Sequence, residues 1–361
     1  MLLSAVRLRV RSSLPPDSLR RFAQQPIALG EASLMAKPMA DETAELAVGV
    51  DVGGTKIHAA LVDRTGAIRR RLRIATQAAD GRAAERIMEA IARLLAETPD
   101  DSVRLRGIGI GTAGQVDWQR GAVRFASDLL PGYTGTPLRD IATRRFGLPV
   151  WVDNDVNVLA LAEQNLGAGR GSRHMVCLAI GTGIGGAVVS GGKLLRGCWG
   201  GAGELGHLSV RFDGQPCRCG GTGCLELYAS GTGIAEQMQR KLAEAGVTDR
   251  PARIGAREVI AGWRSGEPLA QAVLEQAFAA LGAATASLIH TFNPEVVVVG
   301  GGVAEAGADF LQRIREETLQ RTMPALHERV SIVGAAHGND GAVIGAALLA
   351  WEETKKEEEV R

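Results

Sequence analysis

Residues 47–62 read AVGVDVGGTKIHAALV: an apolar run, a short turn carrying Asp51, Gly53, Gly54, Thr55 and Lys56, then a second apolar run. The pattern predicts a strand over 47–50, a glycine-tipped turn and a strand over 57–62, which together make a hairpin. A further turn follows at 63–66. Residues 175–192, MVCLAIGTGIGGAVVSGG, repeat the outline with an apolar run, a glycine turn at 181–186, a strand-like stretch over 187–189 and another turn. Two such units in one chain point to two related α/β lobes.

The second turn matches a dinucleotide fingerprint letter for letter at Gly181, Gly183 and Gly186. That fingerprint needs a helix directly after it, whereas here an apolar strand and a Ser-Gly-Gly turn follow, which is hairpin chemistry. Both turns do offer successive backbone N–H groups unshielded by side chains, a cradle suited to phosphate oxygens. Asp51 beside the first cradle is placed to hold Mg²⁺ through water. An ordinary tight hairpin explains either turn alone. Two of them, with Asp51, Thr55, Lys56 and Thr182, favour phosphate binding.

Between the two units the periodicity predicts a helix over 82–96 ended by residues 98–100, a strand over 107–110 opening into a turn at 111–114, and a loop through 128–133. A helix over 137–146 and a short buried strand over 149–152 follow. Asp153, Asn154 and Asp155 come next, at once the end of that strand and the start of a helix carrying Val156, Leu159 and Ala160. An acid at a helix start is commonly a cap, a task Asp153 serves equally well. The alternative is a general base kept ionised by the helix dipole, accepting the proton of a hydroxyl that attacks phosphorus. Both readings remain open on the residues alone. Farther on, 231–289 reads as mostly helical with a break at 263–268. A strand over 296–299 runs into Gly300, Gly301 and Gly302, a terminal helix covers 342–351, and 355–361 reads as a charged, frayed tail.

Residues 203–226, GELGHLSVRFDGQPCRCGGTGCLE, gather His207, Cys217, Cys219 and Cys224 in a glycine-rich loop. One His and three Cys match the closed tetrahedral set that structural Zn²⁺ prefers. Unrelated thiols or a disulfide are the competing explanations. A disulfide framework does not suit a long chain with five Cys, none of them before position 177, and no secretory pattern. Glu204 and Glu226 flank the ligands, where a rigid loop would aim them at a polar ligand.

At 361 residues, 45% of them hydrophobic, the chain has the length of about two domains. A net charge of +1 gives no global electrostatic argument for nucleic acid or membrane, and leaves small-molecule chemistry as the expectation. No uninterrupted apolar run reaches the roughly 18 to 20 residues of a membrane span, so a soluble protein is expected. Residues 1–45 are Arg-rich and aperiodic and are expected to be disordered. An upstream start, with Met35 or Met39 as the true one, accounts for them better than a transit peptide.

DVGGTK at 51–56, DNDVN at 153–157, GTGIGG at 181–186, the 203–226 stretch and NPEVVVVGGG at 293–302 together resemble the ROK sugar kinases. The resemblance covers about residues 46–351 and is nearest to the ATP-dependent glucokinases of that group. It implies a two-lobed actin-like, ribonuclease H-like fold with a cleft. The lobes would be 46–160, completed by a helix over 342–352, and 161–341, which carries the zinc loop. Asp155 would be the catalytic base, and Asn154, Glu204, His207 and Glu226 would hold the sugar. Asp128 stands where relatives place a sugar-contacting Asn, a departure that touches specificity. Asp51, Gly53, Gly54, Thr55 and Lys56 with Gly181, Thr182 and Gly183 would bracket the ATP phosphates and Mg²⁺. Gly300, Gly301 and Gly302 would lie by the adenosine. His207 would ligate zinc and also face the sugar. Glucose is the expected hexose, with fructose, mannose, N-acetylmannosamine and N-acetylglucosamine as alternatives. A cytoplasmic homodimer is implied. A regulator of the family would need an N-terminal DNA reader, for which about 45 residues without a two-helix pattern are too few.

Overall fold

The computed structural model describes residues 44–97, 103–127, 130–247 and 254–360. The N-terminal extension up to Thr43 and the position of Asp128 lie outside them. The opening apolar run is longer than expected: β1 spans Ala44–Val52, pairing with β2 (Lys56–Val62), which pairs with β3 (Ile68–Ala75). Ala47, Val48, Val50 and Val52 are all fully buried, which is why β1 reads as a continuous apolar run rather than an alternation. After α1 (Ala83–Ala96), β4 (Val103–Thr112) runs parallel to β1. A small hairpin, β5 (Gln115–Asp117) and β6 (Ala122–Phe125), and α2 (Leu138–Phe146) precede β7 (Val150–Asn154), parallel to β4. The first sheet is ordered β3-β2-β1-β4-β7.

Helix α3 (Asp155–Asn165) leads to the second sheet, in which β8 (Met175–Ile180), β9 (Ile184–Ser190) and β10 (Lys193–Leu194) form an antiparallel meander. The metal loop follows, then α4 (Glu226–Ala229), α5 (Gly231–Glu244), α6 (Ala256–Arg264) and α7 (Pro268–Phe292). Strand β11 (Val296–Gly300), α8 (Ala308–Leu319), α9 (Pro324–His327), β12 (Ser331–Gly334) and α10 (Gly341–Val360) complete the chain. The second sheet is ordered β10-β9-β8-β11-β12, with β11 parallel to β8 and β12. It repeats the first strand for strand, the duplication expected from the two glycine-turn units.

Several expectations need correcting. Residues 355–360 are not frayed, since α10 runs to Val360, held where Arg106 pairs with Glu358 at 2.6 Å and Thr354 Oγ1 donates to the Arg106 carbonyl at 3.1 Å. Strands β3 and β12 and the β5–β6 hairpin went unread.

Helix α7 is long and apolar enough by composition to cross a membrane, but Val273, Leu274, Phe278, Leu281 and Ile289 are fully buried in the core. Phe278 meets Phe310 of α8 edge to face, with centroids 4.9 Å apart. Helix α10 lies on the first sheet, its Val343, Ala347 and Ala350 packed with Ala47, Ala60 and Val62. It also crosses α3, where Val158 and Leu161 meet Ala346 and Leu349.

Candidate functional site

Parallel register sets Asp51, Gly111 and Asp153 side by side at the carboxyl edge of the first sheet, with Thr112 beside Asn154. In parallel sheets this edge is where ligand crevices open. Asn154 caps α3: its Oδ1 accepts the N–H groups of Val156 at 2.8 Å and Asn157 at 3.2 Å, and its Nδ2 donates to the Gly114 carbonyl at 3.1 Å. The cap is therefore neither Asp153 nor Asp155, and the structural alternative for Asp155 is already filled. Asp155 is half-buried on the first helical turn, with Oδ1 sharing the Val156 N–H at 3.0 Å. Burial raises its carboxyl to about 6 against the pull of that N–H, and the charge of Glu204 adds to the rise. Asp51 is raised to about 7, first by burial and then by Asp155, while Lys56 and Arg73 oppose. A carboxylate held this close to protonation is a place where a bound cation restores the charged form.

The turn after β1 is closed by Gly53 N–H donating to the Lys56 carbonyl at 3.0 Å. Fully buried Thr76 braces it, donating its hydroxyl to the Gly53 carbonyl at 2.7 Å and its N–H to the Thr55 carbonyl at 3.0 Å. Thr55 and Lys56 point outward, exposed. The turn at 181–183 joins β8 to β9 as an antiparallel hairpin, as its hairpin chemistry predicted. Its Gly181 and Thr182 carbonyls accept Gly231 N–H at 2.8 Å and Thr232 N–H at 3.2 Å from the start of α5. Gly300 pairs with Ala179, and Val303 N–H donates to the Ile180 carbonyl at 2.9 Å, so residues 300–302 lie against this turn.

Both ends of the 203–226 loop are fixed to β9. A 3₁₀ turn at Leu205–His207 seats Leu205, 7% exposed, against Gly186. At the other end Glu226 Oε2 accepts the Ile184 N–H at 2.8 Å, so close to Gly183 that a Cβ there would lie 2.4 Å from the carboxylate oxygen. Any side chain at 183 would thus have to push the Glu226 carboxylate off the Ile184 N–H. Between the ends, the ligand atoms of His207, Cys217, Cys219 and Cys224 all lie within 4.8 Å of one another. Cys219 Sγ is 3.6 Å from Cys224 Sγ, and Cys217 Sγ is 3.8 Å from His207 Nδ1. A tetrahedral Zn²⁺ with bonds of about 2.3 Å to sulfur has ligand edges of roughly 3.7 Å, so the set fits the ion. All five cysteines are free thiols, with no disulfide.

The acids form one electrically coupled series running from the first sheet to the second: Asp51 with Asp155, Asp155 with Glu204, and Glu204 with Glu226. The protein packed around Glu204 raises its carboxyl, Glu226 adds to this, and His207 and a hydrogen bond from the Gln115 side chain pull the other way. Thus Asp51, Asn154, Asp155, Glu204, His207 and Glu226 come together with the two glycine turns. Thr76, Gln115 and Arg196 belong to the same region and were not read from the sequence. A glycine turn at 117–121 in front of an apolar pair was the available signal for the hairpin that carries Gln115, whereas Arg196 and Thr76 gave none.

The ROK family model matches residues 47–353. A glucokinase of Thermotoga maritima is 35% identical over 316 residues, spanning 84% of this chain and 97% of that protein. A solved ROK hexokinase from Thermus thermophilus superposes with a TM-score of 0.74 at 35% identity, covering 86% of this chain and 99% of its own. A ROK-family glucokinase from Streptomyces griseus, solved in complex with glucose and AMPPNP, gives a TM-score of 0.73 at 34% identity, covering 85% and 99%. The fold is the two-lobed actin-like one that the glycine turns and their repeat implied. With its sheets duplicated, its His-Cys₃ loop in place and the family model matching across both halves, this chain belongs to the ROK family.

Proposed function

We propose that the chain is an ATP-dependent hexose kinase that converts glucose to glucose 6-phosphate. The observation that carries the proposal is Asp155, a carboxyl raised to about 6 at the end of β7, with the cap position filled by Asn154. A base with a pKa near working pH accepts the hydroxyl proton late in transfer while remaining largely ionised. The sugar oxygen bonds to the γ-phosphorus, the bridge to the β-phosphate breaks, Asp155 takes the proton and ADP leaves. The names of the relatives, a glucokinase and a glucokinase solved with glucose, support glucose as the acceptor.

Glu204, His207 and Glu226 serve the sugar in this reading, with Asp128 as a further contact. Asn154 contributes its second Nδ2 hydrogen, because its oxygen is spent on the cap and its first hydrogen on Gly114. Asp51, Gly53, Gly54, Thr55 and Lys56 with Gly181, Thr182 and Gly183 bracket the phosphates, and Gly300, Gly301 and Gly302 the nucleoside. Mg²⁺ near Asp51 would neutralise phosphate charge. Zn²⁺ in the His-Cys₃ set would fix the loop. We assign the lobes as 46–160 with the helix at 342–352, and as 161–341, and we place the enzyme in the cytoplasm as a homodimer, a setting suited to its free thiols.

The test is formation of glucose 6-phosphate and ADP from glucose and Mg-ATP by the purified chain, alongside fructose, mannose, N-acetylmannosamine and N-acetylglucosamine. The highest kcat/KM is expected for glucose. A higher value for another hexose moves the assignment to that sugar, and no turnover with any of them defeats it.

A further inference from the structure

Asp153 is 2% exposed and sits two residues before Asp155. Its Oδ1 accepts Asn154 N–H at 2.8 Å and Asn157 Nδ2 at 2.8 Å, bracing the first turn of α3 from which Asp155 projects. Its Oδ2 accepts from Arg196 Nε at 2.8 Å. Arg196 comes from the other half of the chain, just after β10. Its carbonyl accepts Gly200 N–H at 3.0 Å and Ala202 N–H at 3.3 Å, curling 196–202 into the turn that delivers Glu204.

The β5–β6 hairpin completes the junction. The Arg196 guanidinium lies 4.8 Å from the ring centroid of Trp118 in the hairpin, and Arg124 of the hairpin lies 4.6 Å from that of Trp199 in the Arg196 turn. Each segment thus gives one cation and one aromatic face to the other. At Gly200, with φ +108°, a Cβ would lie 2.0 Å from the Val116 carbonyl oxygen, so the two backbones touch. Gln115 of the same hairpin bonds Glu204. Arg196 is therefore in contact with the turn bearing Asp155, with the hairpin, and with the turn leading to Glu204.

We propose that Arg196 is a positioning residue for phosphoryl transfer: through Asp153 and Trp118 it holds the acceptor-side turn in register with Asp155. The proposal rests on the reading of Asp155 as the base. Losing the guanidinium leaves the buried Asp153 carboxylate without its cation, so the α3 start has to rearrange. Lysine is a poor substitute because it has no planar fork to bond Asp153 while stacking on Trp118.

The test uses Arg196→Met, Arg196→Lys, Asp153→Asn and the Asp153→Asn/Arg196→Met double variant, with zinc content and Tm measured for each. A misplacement on the order of 1 Å predicts a kcat loss of about 100-fold in Arg196→Met, with a raised glucose KM and an unchanged ATP KM. Arg196→Lys is expected to recover Tm but only a small part of kcat, which separates positioning from folding. The double variant is expected to be no slower than Arg196→Met, because the two residues act as one unit. Wild-type kcat and glucose KM in either Arg196 variant, or additive losses in the double variant, would overturn the proposal. If Arg196→Met does not fold, Arg196→Lys decides by the same criteria. Asp155→Asn is measured in parallel. Normal turnover there defeats the base assignment, whereas coupling between positions 153 and 196 is judged by its own cycle.

Discussion

Asp155 and Asp51 are each raised first by burial, Asp155 further by Glu204 and Asp51 further by Asp155, so the same environment that tunes the base opposes charge in the folded chain. Asp155→Asn should cut kcat by roughly 10² to 10⁴ while leaving glucose binding, measured by titration calorimetry, near wild type. Near-normal turnover would remove Asp155 from the mechanism. In the wild type kcat/KM should climb as pH rises through about 6, the value for Asp155, and that limb should vanish in the variant. Stability runs the other way. A carboxyl whose folded pKa, about 6, exceeds its ordinary 3.8 favours the fold below pH 4, and that contribution is lost as pH rises through 6. Asp155→Asn should therefore be more stable than wild type at pH 8, by at most about 3 kcal/mol, and equally stable near pH 3.5. A lower Tm at pH 8 would contradict the burial argument. Asp155 is legible in the sequence from its place at a strand end and helix start, but the residues alone leave cap and base open. The choice depends on which side chain accepts the Val156 and Asn157 N–H groups, a rotamer question that spacing does not encode.

The metal loop shows what an element adds to its residues. Glu204 and Glu226 lie 22 positions apart, yet both are brought to the start of β9, one through Leu205 against Gly186 and the other through the Ile184 N–H. Zinc removal should therefore disturb sugar binding before anything else. The wild type is expected to carry about one equivalent of zinc, and Cys219→Ser to lose it and to raise glucose KM at least about tenfold, read by elemental analysis and steady-state kinetics. A zinc-free variant with only a lower Tm and an unchanged KM would make the loop a stability clip. This loop was legible because His and Cys spacing is nearly diagnostic. Strand β3 was not, since Arg69, Arg70, Arg71 and Arg73 mask its pattern; as an edge strand it keeps one side in water and tolerates charge. The β5–β6 hairpin and β12 were missed because three or four residues carry too little periodicity to register.

At the scale of the molecule the two five-stranded sheets share one strand order, and α3 and α10 cross between them. The duplication was legible because each half opens with the same strand, glycine turn and strand. The crossing was not, because it depends on a contact between residues 158 and 345 that no local pattern announces. Gly345 sits inside α10, where helix propensity alone makes alanine better by about 1 kcal/mol. At this position a Cβ would lie 1.7 Å from the Val158 carbonyl oxygen and 3.3 Å from the Ala162 nitrogen. Both are backbone atoms of α3 and cannot swing aside as a side chain would. Forcing the helices apart costs about 1–3 kcal/mol or more, which outweighs the propensity gain. Gly345→Ala should therefore lower Tm by several degrees, and Gly345→Val by roughly 5–10 °C. Because α3 begins at Asp155, the displaced helix should also lower kcat in whatever fraction stays folded. A Tm for Gly345→Ala above wild type would mean that propensity wins and that the helices cross more loosely than these distances require.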